Sequence, residues 1–175
     1  MRITVFSYSL TGNNEALAAS IAAEFGAEHV KITESKQRSM RTIILDILFN
    51  RTPQVLPATY KVGDNDMVIF VGPVWMGHVA SPLRAYLKHI KILPAQYAFI
   101  SISGGALGPN TKLADELTKR VGKEPSVLID LHIADLLPTD SKPTRKDTSK
   151  YRLNDTDVQH LTLTIMKILK SKVEK

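Results

Sequence analysis

The sequence predicts one α/β domain over residues 1–175, built on a doubly wound parallel sheet of five strands. Three observations carry that expectation. Short apolar runs alternate with stripes at helical spacing along the whole chain. Ile3–Phe6 is a short apolar run that reads as a buried strand, and Met67–Val71 is continuously apolar, as in a strand covered on both faces. Three turns, after the first, third and fourth strands, are rich in glycine, hydroxyls or amides, and such sheets bind ligands beyond the carboxyl ends of their strands.

Each element has its own signal. After Ile3–Phe6, the stripe Leu17, Ile21 and Phe25 marks the first helix, closed by Gly26. Glu28 to Ile32 reads as the second strand. Ser35 to Asn50 reads as a helix with Met40, Ile43, Ile44, Ile47 and Leu48 on its apolar face and Lys36, Arg38 and Arg41 on the other. Arg51 to Asp66, with Pro53, Pro57 and Gly63, reads as a connection. Met67–Val71 is the third strand and Gly72 to Ala80 a loop. Ser81 and Pro82 start a helix carrying Leu83, Tyr86, Leu87 and Ile90. Tyr97 to Ile102 is the fourth strand. A helix with Leu113, Leu117 and Val121 ends at Gly122, and Val127 to Leu131 is the fifth strand. Pro138 to Tyr151 reads as a polar surface loop. Asn154 or Asp155 caps a last helix with Val158, Leu161, Ile165, Ile168 and Leu169.

Composition narrows the function. With 175 residues and 43% hydrophobic content, the chain has enough for one real core, and no repeat or second core is visible. It has no cysteine, which excludes disulfides, thiolate metal sites and thiol redox chemistry. No apolar run reaches the length of a membrane span, and the N-terminus lacks a signal-peptide pattern, so a cytoplasmic location is expected. The formal net charge is +6 and the sequence pI about 9.5. No aromatic residues interleave with a basic stripe, so scattered solvated lysines are expected rather than a nucleic-acid surface. The five histidines lack ligand spacing, and no metal is expected.

The first turn is Ser9-Leu10-Thr11-Gly12-Asn13-Asn14. A helix N-terminus offers unpaired N–H groups and the positive end of its dipole. Hydroxyls on Ser9 and Thr11 and a glycine complete a cup for an anion, with no lysine or arginine in it. There is no P-loop lysine and no triple-glycine fingerprint. A plain helix cap uses the same residues. The second stretch, Pro73-Val74-Trp75-Met76-Gly77, holds the only tryptophan, placed to stack on a flat ring or else to fill a core. The third, Ser103-Gly104-Gly105-Ala106-Leu107-Gly108, allows a close backbone approach to a planar ligand, or forms a simple turn.

Position by position, the first turn resembles the phosphate loop of the flavodoxin-like flavoproteins, Thr/Ser-x-Thr-Gly-x-Thr/Asn. The second stretch resembles their Pro-x-Trp-x-Gly segment, with Ala80-Ser81-Pro82-Leu83-Arg84 matching the helix start behind it. The resemblance implies strand order 2-1-3-4-5 in a three-layer α/β/α sandwich. It implies FMN as cofactor, with its phosphate in the first turn and its ring between the second and third. It also implies an oxidoreductase passing electrons from NAD(P)H to a small quinone-like acceptor. The alternatives are a one-electron carrier serving a redox partner protein, or a flavin-free module that kept only the fold. Two departures weigh against the carrier. The chain is basic where carriers are acidic, and Ser103 to Asn110 contains no aromatic to cover the ring. His78, next to the expected ring, is a candidate proton donor. Arg38, Arg41 and Arg51 are expected to be solvated, with Arg38, Arg41 and His78 candidates for attracting the donor's phosphates. Tyr151 and Tyr60 are candidates for a lid over the ring.

Overall fold

Strand β1 (Ile3–Ser7) lies at the centre of a parallel sheet, between β2 (Glu28–Lys31) and β3 (Met67–Val71). The computed structural model describes residues 2–36, 38–58, 67–93, 95–138 and 143–173. Beyond β3 come β6 (Gln96–Ser103) and β7 (Val127–His132), so the sheet order is β2-β1-β3-β6-β7, every pairing parallel. This is the expected order once a small hairpin, β4 (Val74–Trp75) with β5 (His78–Val79), is set aside. The order reverses between β1 and β3, which makes the carboxyl edge there a ligand-binding crevice.

Helices cover both faces. Helices α1 (Asn13–Phe25) and α6 (Asp155–Val173) pack Leu17, Ile21, Leu161 and Ile165 on Val5, Ile69 and Ile100. On the other face α3 (Arg84–Ile90) and α4 (Leu113–Val121) pack Leu87, Ile90, Leu113 and Leu117 on Phe6, Phe70 and Phe99. The five fully buried residues of β3 account for its unbroken apolar run: both neighbours are helical layers. Ser81–Leu83 forms a 3-10 turn with proline at its start and runs directly into α3.

Three expectations are corrected. The second helix, α2, is Met40–Leu48 rather than 35–50, because Ser39 caps it, its Oγ accepting the Thr42 N–H at 3.3 Å. Of its expected apolar face only Ile43 is fully buried, while Met40, Ile44 and Leu48 are exposed and Asp46 is buried instead. Residues 72–80 are not a plain loop, since they contain the hairpin. Finally, residues 138–151 include a short helix, α5 (Arg145–Lys150), with a capping box between Thr144 and Asp147. Tyr60 lies outside the described residues. No described helix is long and apolar enough to cross a membrane.

Candidate functional site

The hairpin that leaves β3 turns at Met76 and Gly77, with φ of 53° and 79°. Two successive left-handed residues make a type I′ turn, whose twist suits two paired strands. The Ala80 N–H donates to the Pro73 carbonyl at 3.1 Å and closes the hairpin below. Trp75 is half-buried at the crevice rather than in the core. Its ring meets the Tyr8 ring edge-on, with centroids 5.9 Å apart, and the Arg38 guanidinium lies over it, 5.7 Å from the centroid. Arg38 is itself fixed, donating to both Glu34 oxygens (2.9 and 2.5 Å) and to Asp46 Oδ2 (2.5 Å). Burial alone would lower the Arg38 pKa, but the hydrogen bonds to Glu34 and Asp46 raise it. The Tyr8 hydroxyl donates to Glu34 at 2.9 Å, and burial followed by that carboxylate pushes the phenol's pKa up. Trp75 is therefore an aromatic wall on a rigid ionic backing.

The glycine-rich loop after β6 is pinned at several points. The Gly104 carbonyl accepts the Ala134 N–H at 3.1 Å, and the Gly105 carbonyl accepts the Gly108 N–H at 2.9 Å. Asn110 donates to Asp130 through its backbone (3.1 Å) and its side chain (3.0 and 3.2 Å), and His132 Nε2 lies 3.2 Å from the same carboxylate. A Cβ on Gly104 would come 3.0 Å from Thr148 Oγ1 of α5, and one on Gly105 would come 2.4 Å from His132 Cβ. Gly105 also has φ +72°, so Gly105→Ala should destabilise by about 1–2 kcal/mol from φ alone, plus the clash. Gly108 has φ +92° but open space where its Cβ would go. Gly108→Ala should therefore cost less in urea unfolding. Equal losses would mean that His132 gives way freely.

In the first turn, Gly12 precedes α1 with φ 92°, and its N–H donates to Ser9 Oγ at 3.0 Å. The first-turn N–H groups of α1 have no acceptor within the helix. Between these loops lies a cleft of about 660 Å³, within the range of small-molecule sites. Leu10, Val74, Trp75, Met76, Gly77, Ser103, Gly104, Gly105 and Gly108 all line it. It offers an apolar slab and glycine backbone, and Leu10 joins it to the first turn, whose N–H groups and hydroxyls adjoin Leu10 in the chain. That donor set fits a flat ring bearing a terminal phosphate.

No family model and no curated protein matches the sequence. Solved structures do match. A flavoprotein from Lactobacillus acidophilus NCFM in complex with FMN is 20% identical, covering 74% of this chain and 92% of its own, with a TM-score of 0.61. The apo-form of the flavoprotein from the same organism gives 17% identity, 77% and 94% coverage and a TM-score of 0.55. A provisionally assigned flavoprotein from Bacteroides uniformis gives 13%, 75% and 90%, and 0.63. The fold is flavodoxin-like.

Within this flavodoxin-like domain the expected residues do not all face the cleft. Asn13 and Asn14 are buried, and their side chains turn away from the first turn. Asn13 Nδ2 donates to the Tyr151 carbonyl and its Oδ1 accepts the Leu153 N–H, both at 3.1 Å. Asn14 Nδ2 donates to the Ile102 carbonyl at 2.9 Å and its Oδ1 accepts the Ile102 N–H at 3.0 Å. What these two can offer an anion is backbone. Ser9, Thr11 and Gly12 flank the cleft through Leu10, and Pro73 serves the hairpin's closure. His78 does not line the cleft, although its neighbour Gly77 does. It lines a separate cavity, its Nδ1 3.6 Å from Glu116 Oε1. Arg38 is not solvated, because its side chain is 2% exposed within its ion pairs. Tyr151 is no lid, since its hydroxyl donates to Asp157 at 2.8 Å and it does not line the cleft.

Sequence reasoning missed Ile43, Ile44 and Met40, which it assigned to a core-facing stripe, and Arg145 and Thr148, in a stretch read as a surface loop. With Lys112, Arg145 brings positive charge to the cleft, so it is not free of cations as the first turn alone suggests. The capping pair Thr144 and Asp147 was the available signal for α5.

Proposed function

We propose that the chain binds FMN noncovalently and passes electrons from NAD(P)H to a small, flat, quinone-like acceptor. The observation that carries this reading is that Trp75, the Ser103–Gly108 loop and Leu10 of the first turn line one cleft. The FMN complex of the Lactobacillus flavoprotein, with the same fold, supports the cofactor. FMN supplies the hydride and electron chemistry, and the chain supplies placement. The first-turn N–H groups with Ser9 and Thr11 would hold the phosphate. Trp75, Val74 and the glycine loop would hold the ring.

The enzyme reading is favoured over the carrier by two features. The loop from Ser103 to Thr111 puts no aromatic on the cleft, leaving room for a nicotinamide and then an acceptor to stack in turn. The Gly104–Gly105 peptide, which a carrier would flip to answer a change in flavin charge, has its own carbonyl bonded to the Ala134 N–H, and the next carbonyl along is bonded to the Gly108 N–H.

Titration of the apo-protein, read by Trp75 emission, tests the site. FMN should quench the emission and bind at least about tenfold more tightly than riboflavin, because riboflavin leaves the first-turn donors unpaired. Equal affinity would remove the phosphate assignment, and unquenched emission at saturation would remove Trp75 from the ring. Steady-state assays with NADH or NADPH and benzoquinone test the reaction, and absence of turnover would give the case to the carrier.

A further inference from the structure

A second cavity, of about 700 Å³, opens between α2, α3 and α4. Arg84, Lys88 and Lys91 line it from α3 and its C-terminal end, and Lys119 and Arg120 line it from the last turns of α4. Residues 84, 88 and 91 stack on one helix face. The carboxylate among them, Glu116, is already paired with Arg120. Lys88, Lys91 and Lys119 make no ion pair among the described residues. Like charges gathered on one wall repel, and an anion between them relieves the repulsion.

Arg84 supplies a second, independent sign. It is 3% exposed and donates to the carbonyls of Asp46 (3.0 Å) and Arg51 (2.8 Å) at the end of α2. Its Nε is buried without a partner. Burial, and then Arg120 nearby, lowers its pKa to about 10, so it stays charged at neutral pH. Its printed hydrogen bonds go only to carbonyls, and the carboxylates of Glu116 and Asp46 act on it through space. Among the described residues no phenylalanine, tyrosine or tryptophan lines this cavity, while Asn50 and Thr52 add neutral polar groups. Those are donors for phosphate oxygens rather than a platform for a ring.

The two cavities are neighbours. On α2, Ile43 and Ile44 face the flavin cleft, whereas Ile47 and Asn50 just beyond its end face the basic cavity. On the hairpin, Gly77 lines the first and His78 the second. Three helical residues rise about 4.5 Å, so along α2 the two cavities lie within the span of an extended dinucleotide.

We propose that this basic groove holds the phosphates of the adenylate half of the nicotinamide donor, which makes NADPH the preferred donor over NADH. The inference rests on the donor reading above. Its test is calorimetric titration of the full chain, with and without FMN, using adenosine 2′,5′-bisphosphate, which carries no nicotinamide. The wild-type chain should bind it. K88Q/K119Q should weaken binding roughly tenfold or more, and added salt should weaken it further. K167Q/K170Q, which removes the same charge from exposed positions on α6, should leave it unchanged. No binding by the wild-type chain, or equal weakening in both double variants, would overturn the groove. Reduction of the FMN-loaded chain by NADPH separates the two ideas. Reduction without bisphosphate binding rejects the groove alone. Bisphosphate binding without reduction rejects the donor reading, and with it the donor as the groove's occupant.

Discussion

Arg38→Ala should lower the unfolding free energy by about 3–5 kcal/mol, the cost of leaving buried carboxylates unpaired. The Arg38 side chain is 2% exposed, and those of Glu34 and Asp46 are 13% and 7% exposed. In the variant Glu34 would keep the Tyr8 hydroxyl and Asp46 the Ser81 hydroxyl, at 2.9 Å each. Neither hydroxyl carries the charge that the guanidinium brings. Arg38→Lys should fall between, because one ammonium cannot fork across two carboxylates from a single position. Trp75 also loses the cation over its ring, so its emission should shift even under conditions where the variant is folded. Urea titrations at neutral pH measure the loss. A deficit below about 1 kcal/mol, the size expected of an exposed pair, would mean that water reaches this network.

That network shows where the sequence is legible and where it is not. In the sequence Arg38 and Asp46 each look like a solvated residue on a helix, because charge is usually exposed. Their burial comes from partners 8 and 35 residues away, Asp46 for Arg38 and Ser81 for Asp46, and no local pattern records such pairs. Helix α4 is the opposite case. Leu113, Leu117 and Val121 set its face and Gly122, in the left-handed region, ends it, so both boundary and burial are local and readable. Strand β3 is readable for the same reason.

The hairpin was hidden because its strands have two residues each, and because Met76 occupies a left-handed position where asparagine or glycine would have been the signal. In the candidate site, residue types and loop positions were legible, and the convergence of the second and third loops on one cleft follows from the strand order alone. Side-chain direction was not legible. Periodicity marks α2 as apolar on one side, but it does not say that Ile43 and Ile44 would face a cleft. Nor does the first turn reveal that its two asparagines point inward.

Asn14→Ala should cost about 2–4 kcal/mol, through two lost hydrogen bonds and two backbone groups left without partners. Strand β3 ends at Val71, opposite Ile100, and the Gly72 N–H takes the Ile100 carbonyl. Two residues on, Ile102 turns its N–H and carbonyl to the same side, where no strand continues. The Asn14 amide fills that place like one more peptide of the missing strand, at 3.0 and 2.9 Å. It thereby ties the first turn of α1 to the residue just before Ser103, so two walls of the cleft share one joint. The variant should lose hydrogen-exchange protection at the Ile102 amide and bind FMN more weakly than its remaining first-turn groups would allow. Asn14→Asp should not rescue it. A carboxylate can still accept the Ile102 N–H, but its other oxygen would face the Ile102 carbonyl in a dry site. If Asn14→Ala left both stability and Ile102 exchange unchanged, a water would have to replace the amide on both atoms, and the joint between the two loops would not exist.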